Sequence, residues 1–329
     1  MNLLTYATMS EKTRRLVVLS ALVKLAKDAA FSEADHPRGQ PQNAGQFASV
    51  GTKKENAKPA AQKSASAVTP PSSDADMGRF IAEVKETAEY KAVEKHLEAL
   101  QNETKSGNVQ RWSIEKNTDA AGNYTPQRQA LHDAIVAKVL TEDTKAKAGE
   151  RPKAVLLLGP PGAGKTTAGG PIARQMVGED THLATLNADD VKSELPEYKG
   201  YNAAAVHEES SDLVEGRMVP EGIKGRHNLL FDFTGNNELK MAKIADMLHG
   251  QGYDVHVIDV TVPTHVAVSR AWSRFVKSGR FVPPEYIKGV DGNPDRTYAK
   301  LKTSKSVRSW AQVDNHMTRT VTQGSNDGP

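Results

Sequence analysis

Beyond residue 150 the hydrophobic positions change period at regular intervals. A run of consecutive apolar residues, Ala154-Val-Leu-Leu-Leu158, reads as a fully buried strand, and helical spacing follows from Lys165 to about Val177. A strand over 183–186, a helix over 203–215, a strand over 228–233, a helix over 238–249 and a strand over 254–262 come next. A last helix over 264–278 is closed by Gly279 as its C-cap. Such alternation predicts an α/β fold with a mainly parallel sheet covered by helices on both faces, and ligands at the carboxyl ends of its strands.

The pattern upstream is different. Ser10 caps a predicted helix to Ala29 with Val18, Leu22 and Leu25 on one stripe, residues 31–49 are rich in turn formers, and Val50–Asp76 has only Val50 and Val68 as bulky apolar residues. The last of these cannot repay its ordering entropy and reads as a flexible linker over 50–76. Phe80, Ile81, Val84, Val93, Leu97 and Leu100 then fall at the spacing of one amphipathic helix. Thr125-Pro126 opens another that buries Leu131, Ile135, Val139 and Leu140. The expected division is therefore an N-terminal segment over 1–49, a linker 50–76, a helical region 77–150 packing on the core, the core itself over 151–290, and a tail 291–329. In the tail Leu301, Val307, Trp310 and Val313 support one short helix.

Composition narrows the function classes. With 43 Lys and Arg against 40 Asp and Glu in 329 residues, no block of basic charge points to nucleic acid. The absence of cysteine removes disulfides, thiolate metal sites and cysteine nucleophiles. The apolar run Leu16–Ala26 is too short to span a bilayer, so the expected location is the cytoplasm.

The strand at 154–158 runs directly into Gly159-Pro-Pro-Gly162-Ala163-Gly164-Lys165-Thr166-Thr167, the full P-loop spacing in its expected context. Glycines let the backbone wrap a phosphate so that successive N–H groups converge on its oxygens, Lys165 reaches the β/γ-phosphates, and the Thr166 hydroxyl is offered to Mg²⁺. ATP and Mg²⁺ are thus the expected cofactors, within a P-loop kinase-like fold.

Three further groups fall at predicted strand ends. Asp189 and Asp190 follow the strand at 183–186. One carboxylate there accepts a proton from an attacking hydroxyl, a role worth roughly 10²- to 10⁴-fold, or else caps the short helix Val191–Glu194. Asp232 ends an apolar strand, the usual layout for a residue holding Mg²⁺ or its water. Arg270, Arg274 and Lys277 share a helix face, with Arg280 just beyond, as a cationic group fit to spread charge over a transferring phosphoryl group. His207, Glu208 and Glu209 are adjacent on a helix and cannot all face one metal.

Taken in order, the P-loop, Asn187-Ala-Asp-Asp-x-Lys with Pro196, the His/Ser-bearing helix, the strand ending Asp232-Phe233-Thr234, and Arg274 with Arg280 resemble the zeta toxin family over roughly residues 120–290. That resemblance implies a kinase that phosphorylates the sugar of UDP-N-acetylglucosamine. It implies that Asp189 is the catalytic base, that Lys165, Arg274 and Arg280 are the phosphate-binding side chains, and that Asp190, Glu215 and Thr234 lie on the substrate side. It also implies an antitoxin, either separate or built into residues 77–150. Two departures, Leu195-Pro196 for the family's frequent His-Pro and Asp232-Phe233-Thr234 for Glu-Gly-Thr, lie near the acceptor site. Residues 35–47 resemble short stretches of bacteriophage structural proteins, which implies a phage partner through the N-terminus. A polynucleotide kinase and a non-catalytic nucleotide-binding module are the alternatives; only 5% aromatic residues and balanced charge count against the first.

Overall fold

The computed structural model describes residues 64–325, so the predicted helix at 10–29, the phage-like stretch at 35–47 and most of the linker lie outside the described residues. Six strands form one sheet: β1 (Lys153–Leu158), β2 (Ala184–Leu186), β3 (Leu229–Asp232), β4 (Asp254–Thr261), β5 (Ser309–Asp314) and β6 (Thr320–Ser325). Their order is β2-β3-β1-β4-β5-β6, with every pair parallel except the β5–β6 hairpin. The predicted mainly parallel sheet flanked by helices is therefore present.

The central strand shows why the sequence folds this way. Leu156 and Leu158 point into one core with β3, β4 and several helices, whereas Val155 and Leu157 point into a second core on the other face. Both faces are covered, so an uninterrupted apolar run is what this position demands.

Among the described residues four α-helices precede β1: α1 (Met77–Lys85), α2 (Ala88–Glu103), α3 (Trp112–Asn117) and α4 (Pro126–Val139). The single helix expected over 77–100 is thus two, because the Thr87 hydroxyl accepts from the Tyr90 backbone N–H at 3.2 Å and restarts the chain as an N-cap. After β1 come α5 (Gly170–Val177), α6 (Ala188–Glu194), α7 (His207–Leu213), α8 (Val219–Lys224), α9 (Glu238–Gly250), α10 (Thr264–Ser278), α11 (Pro284–Gly289) and α12 (Asn293–Leu301). The helix expected over 203–215 is broken more finely than its pattern shows. A 3₁₀ turn precedes α7, and a π-turn at Val214–Met218 joins α7 to α8.

A third core lies outside the sheet, where Phe80, Val84 and Tyr90 pack with Trp272, Phe275 and Phe281 of α10 and its sequel. Ala65 and Val68, within the stretch read as linker, are buried in the same core, so residues 64–76 are docked. Two small apolar side chains suffice because hydrogen bonds fix the strap as well: Asp74 accepts from the His265 backbone N–H at 2.9 Å and Ser269 Oγ donates to the Pro71 carbonyl at 3.1 Å.

The tail at 291–329 is also corrected. Tyr298 and Leu301 bury α12 against the sheet, and Ala311 and Val313 alternate into the second core as β5. β6, made of Thr, Gln, Gly and Ser with one Val, carries no apolar alternation and forms by backbone pairing to β5. The folded core thus runs well past residue 290.

Candidate active site

The strand order reverses at β1, whose neighbours are β3 and β4, and at the carboxyl ends of these strands opens a cleft of 920 Å³. The P-loop forms one wall. Gly162 has φ +87°, and a Cβ on it would sit 2.2 Å from the Ala267 carbonyl oxygen, so both conformation and space require glycine there. Gly162, Gly164, Lys165, Thr166 and Thr167 line the cleft, whereas Gly159 and Ala163 do not. Ala163 is buried behind the loop, and its carbonyl accepts from Asn315 Nδ2 at 2.8 Å. Arg270, read from its spacing as a phosphate contact, donates to the Asn315 carbonyl at 2.8 Å and thereby buttresses the loop.

Lys165 Nζ donates to the Gly159 carbonyl at 2.7 Å and lies 3.5 Å from Asp232 Oδ1. Asp232 ends β3 beside Leu157, and its Oδ2 accepts from Asn187 Nδ2 at 3.2 Å. Burial pushes the Asp232 carboxyl up, and Lys165 opposes this incompletely.

Across the cleft, Asn187 caps α6 by accepting from the Asp189 backbone N–H at 2.8 Å. The cap is therefore not an aspartate, and Asp189 and Asp190 are left free to face the cleft. Asp189 accepts from Lys192 Nζ at 2.9 Å and from an Arg280 amino group at 2.5 Å. Burial would lift its carboxyl, but these two cations prevail and hold it well below the usual carboxylate range. Asp190 shows the reverse, raised by burial and by the charges of Asp232 and Asp189. Arg274 lines the same wall with its Nε buried and unpartnered, and burial and the nearby Arg280 disfavour its positive charge. Two guanidiniums converging on one cleft make a place for an anion. Lys277, the remaining member of the expected cationic face, is exposed outside the cleft.

The far half of the cleft is apolar, with Leu186, Val214, Val219, Phe231, Ile244 and Met247 in its lining. Glu215, on the π-turn, accepts from Lys240 Nζ at 3.1 Å, and Thr234 is hydrogen-bonded to the phenol of Tyr286. Of residues 77–150 only Gln110 lines the cleft. His207 lines it too, while Glu208 pairs with Arg111 and Glu209 is bound behind α7 by Arg128 and His132. Among the described residues no group of three or more His, Asp or Glu is placed to hold a metal ion.

A family model described as Zeta toxin matches residues 137–323, more than half of the chain. The chain belongs to the zeta toxin family. The zeta toxin match extends through β5 into β6, in keeping with a folded core that runs past residue 290. Among solved structures, the chain is similar to an AvrRxo1-ORF1:ORF2 complex with ATP, at 17% identity over 65% of this chain and 70% of that one, with a TM-score of 0.48. It is also similar to a structure of the PezAT chromosomal toxin–antitoxin system of Streptococcus pneumoniae, at 16% identity over 63% of this chain and 85% of that one, with a TM-score of 0.47. No curated protein matches the chain.

Sequence reasoning quoted Asn187 and Lys192 in the Asn-Ala-Asp-Asp-x-Lys motif without giving either a role, and missed Tyr286 and Asn315. The i, i+3 spacing of Asp189 and Lys192 and the Asn that follows β2 were available signals. Nothing near Asn315 marks it as a partner of a loop some 150 residues earlier.

Proposed function

We propose that the protein is an ATP-dependent phosphotransferase acting on a hydroxyl of a small-molecule acceptor, with UDP-N-acetylglucosamine as the first acceptor to test and toxicity as the consequence. The observation that carries this reading is the convergence of Lys165, Asp189, Asp232, Arg274 and Arg280 on one cleft whose opposite half is apolar. The loop amides and Lys165 would bind the β- and γ-phosphates, which requires Lys165 to leave the Gly159 carbonyl. An incoming γ-phosphate would compete with Asp189 for Arg280, and once it drew that guanidinium away Asp189 would keep Lys192 alone, with Oδ2 open to the acceptor's proton. Arg274, with an unused buried N–H, then has an anion to pair with.

The residues present fit Mg²⁺. Asp232 Oδ1 has only Lys165 nearby, at 3.5 Å, and the carboxyl is raised by its burial, so it is under-compensated. Thr166 lies in the same lining. Thr166 and Asp232 would hold the ion, which when bound neutralises charge on the phosphate oxygens.

Mass spectrometry of a reaction with MgATP and UDP-N-acetylglucosamine tests the reading. A phosphorylated nucleotide sugar made by the unaltered protein and lost in both Lys165→Ala and Asp189→Ala is the expected result. Full activity in either variant would overturn the role assigned to that residue, and ATP binding without product would redirect the search to other hydroxyl acceptors.

A further inference from the structure

Asp259 stands in the carboxyl-terminal half of β4, between Leu158 of β1 and Gln312 of β5, and is 0% exposed. Its side of the strand is otherwise the apolar core of Val255 and Val257. Oδ2 accepts from Gln312 Nε2 at 3.0 Å, and Oδ1 has no partner. Beside it is a cavity of 20 Å³ lined by Pro160, Asp259, Thr261, Asp291 and Asp295 among others, room for one water. Leu158 leads directly into the P-loop, so this acid sits beneath the point where the loop leaves the sheet.

We propose that Asp259 is a positioning residue for the phosphate-binding loop: a buried acid that fills the gap between β4 and Pro160 through one water, partly ionised in the free protein and made fully neutral by proton uptake when nucleotide phosphate binds above it. This rests on the reading of the loop as a nucleoside triphosphate site. A carboxylate in this core would put an uncompensated charge under a loop that must attract an anion, whereas the neutral acid adds a donor and no repulsion. The groups facing it are Lys165 from the loop, Asp295 and Tyr298 from α12, Asp291 from the preceding turn and Gln312 from β5. Burial dominates and Asp295 adds to it, while Gln312 and Lys165 oppose, so the carboxyl is pushed up to about 7. Phosphate above raises the proton affinity further, and by reciprocity the proton strengthens phosphate binding by the same factor.

The folded-state value lies above the unfolded one, so stability is highest with Asp259 protonated and falls as pH rises from about 4 towards 7. Asp259→Asn removes that fall. Calorimetry of ATP binding in buffers of different ionisation enthalpy should show proton uptake by the wild type in excess of Asp259→Asn. The wild-type affinity relative to the variant should fall about fivefold between about pH 6 and 8.5. Equal proton uptake and parallel affinities overturn the inference even though ATP binds. If ATP does not bind the wild type at any pH, the reading of the loop fails, and the coupling with it. Should Asp259→Asn not fold, Asp295→Asn keeps the acid and removes a repelling charge. It should move the unfolding-versus-pH midpoint down, and an unmoved profile counts against the proposal.

Discussion

The two halves of the cleft are built by different means. The donor half is set by backbone: Gly162 leaves no room for a Cβ against Ala267, and the Ala163 carbonyl is held by Asn315 from the far end of the fold. The acceptor half is set by side chains on short, interrupted helices, with α7, a π-turn and α8 presenting Val214, Glu215 and Val219 to the space. A backbone-built site fixes the chemistry and tolerates little. A side-chain-built wall can be re-lined while the sheet stays as it is, which leaves room for what enters the cleft to change on one scaffold.

The comparison breaks most severely behind α7. The Glu209 side chain is 0% exposed, accepts from Arg128 at 2.5 and 2.8 Å and pairs with His132 at 2.8 Å. Glu209→Ala leaves the buried Arg128 with Glu197, at 2.9 Å, as its remaining carboxylate and strips His132 of its partner, and should lower unfolding free energy by about 3 kcal/mol in denaturant titration. Burial would raise the Glu209 carboxyl, but Arg128 and His132 hold it down to about 2. The stability this contributes is complete above about pH 4.5 and lost as pH falls towards 2, and the Glu209 variants should lack that acid-side loss.

On the donor side, Gly162→Ala forces a Cβ against the Ala267 carbonyl and should weaken ATP binding by roughly 10²-fold in equilibrium titration. Acceptor affinity should change far less. Met247→Ala is the converse: about a tenfold rise in acceptor KM with the ATP Kd unmoved. If Met247→Ala weakens ATP as much as acceptor, the two halves are not independent. The smallest effect belongs to the strap. Asp74 accepts from the backbone N–H and Nδ1 of His265 and so caps α10 from outside, where Pro263 supplies no cap of its own. Asp74→Ala should cost about 1 kcal/mol in thermal unfolding and leave kcat nearly unchanged.

The donor half was the legible one. Gly162, Gly164, Lys165 and Thr166 are neighbours in sequence, so one contiguous pattern announces their place in the lining, and Asp189 and Asp232 were placed in the cleft because strand ends are visible in the hydrophobic pattern. The apolar wall was not, since Val214, Ile244 and Met247 look like any core residues until three helices bring them together. β6 escaped because its stability comes from pairing with β5 rather than from a buried face. The docked strap escaped because Ala65 and Val68 are too small a signal in a polar tract.

The bond from Asn315 to the Ala163 carbonyl also sets an order in time. A chain leaving the ribosome contains its whole phosphate-binding sequence once Thr167 has emerged, yet the amide that holds the loop arrives about 150 residues later, together with β5. Synthesis runs at about 5–20 residues per second, so the nascent chain spends roughly 7 to 30 seconds with the P-loop sequence made and the loop unsecured. The loop is thereby secured only when nearly all of the fold is in hand.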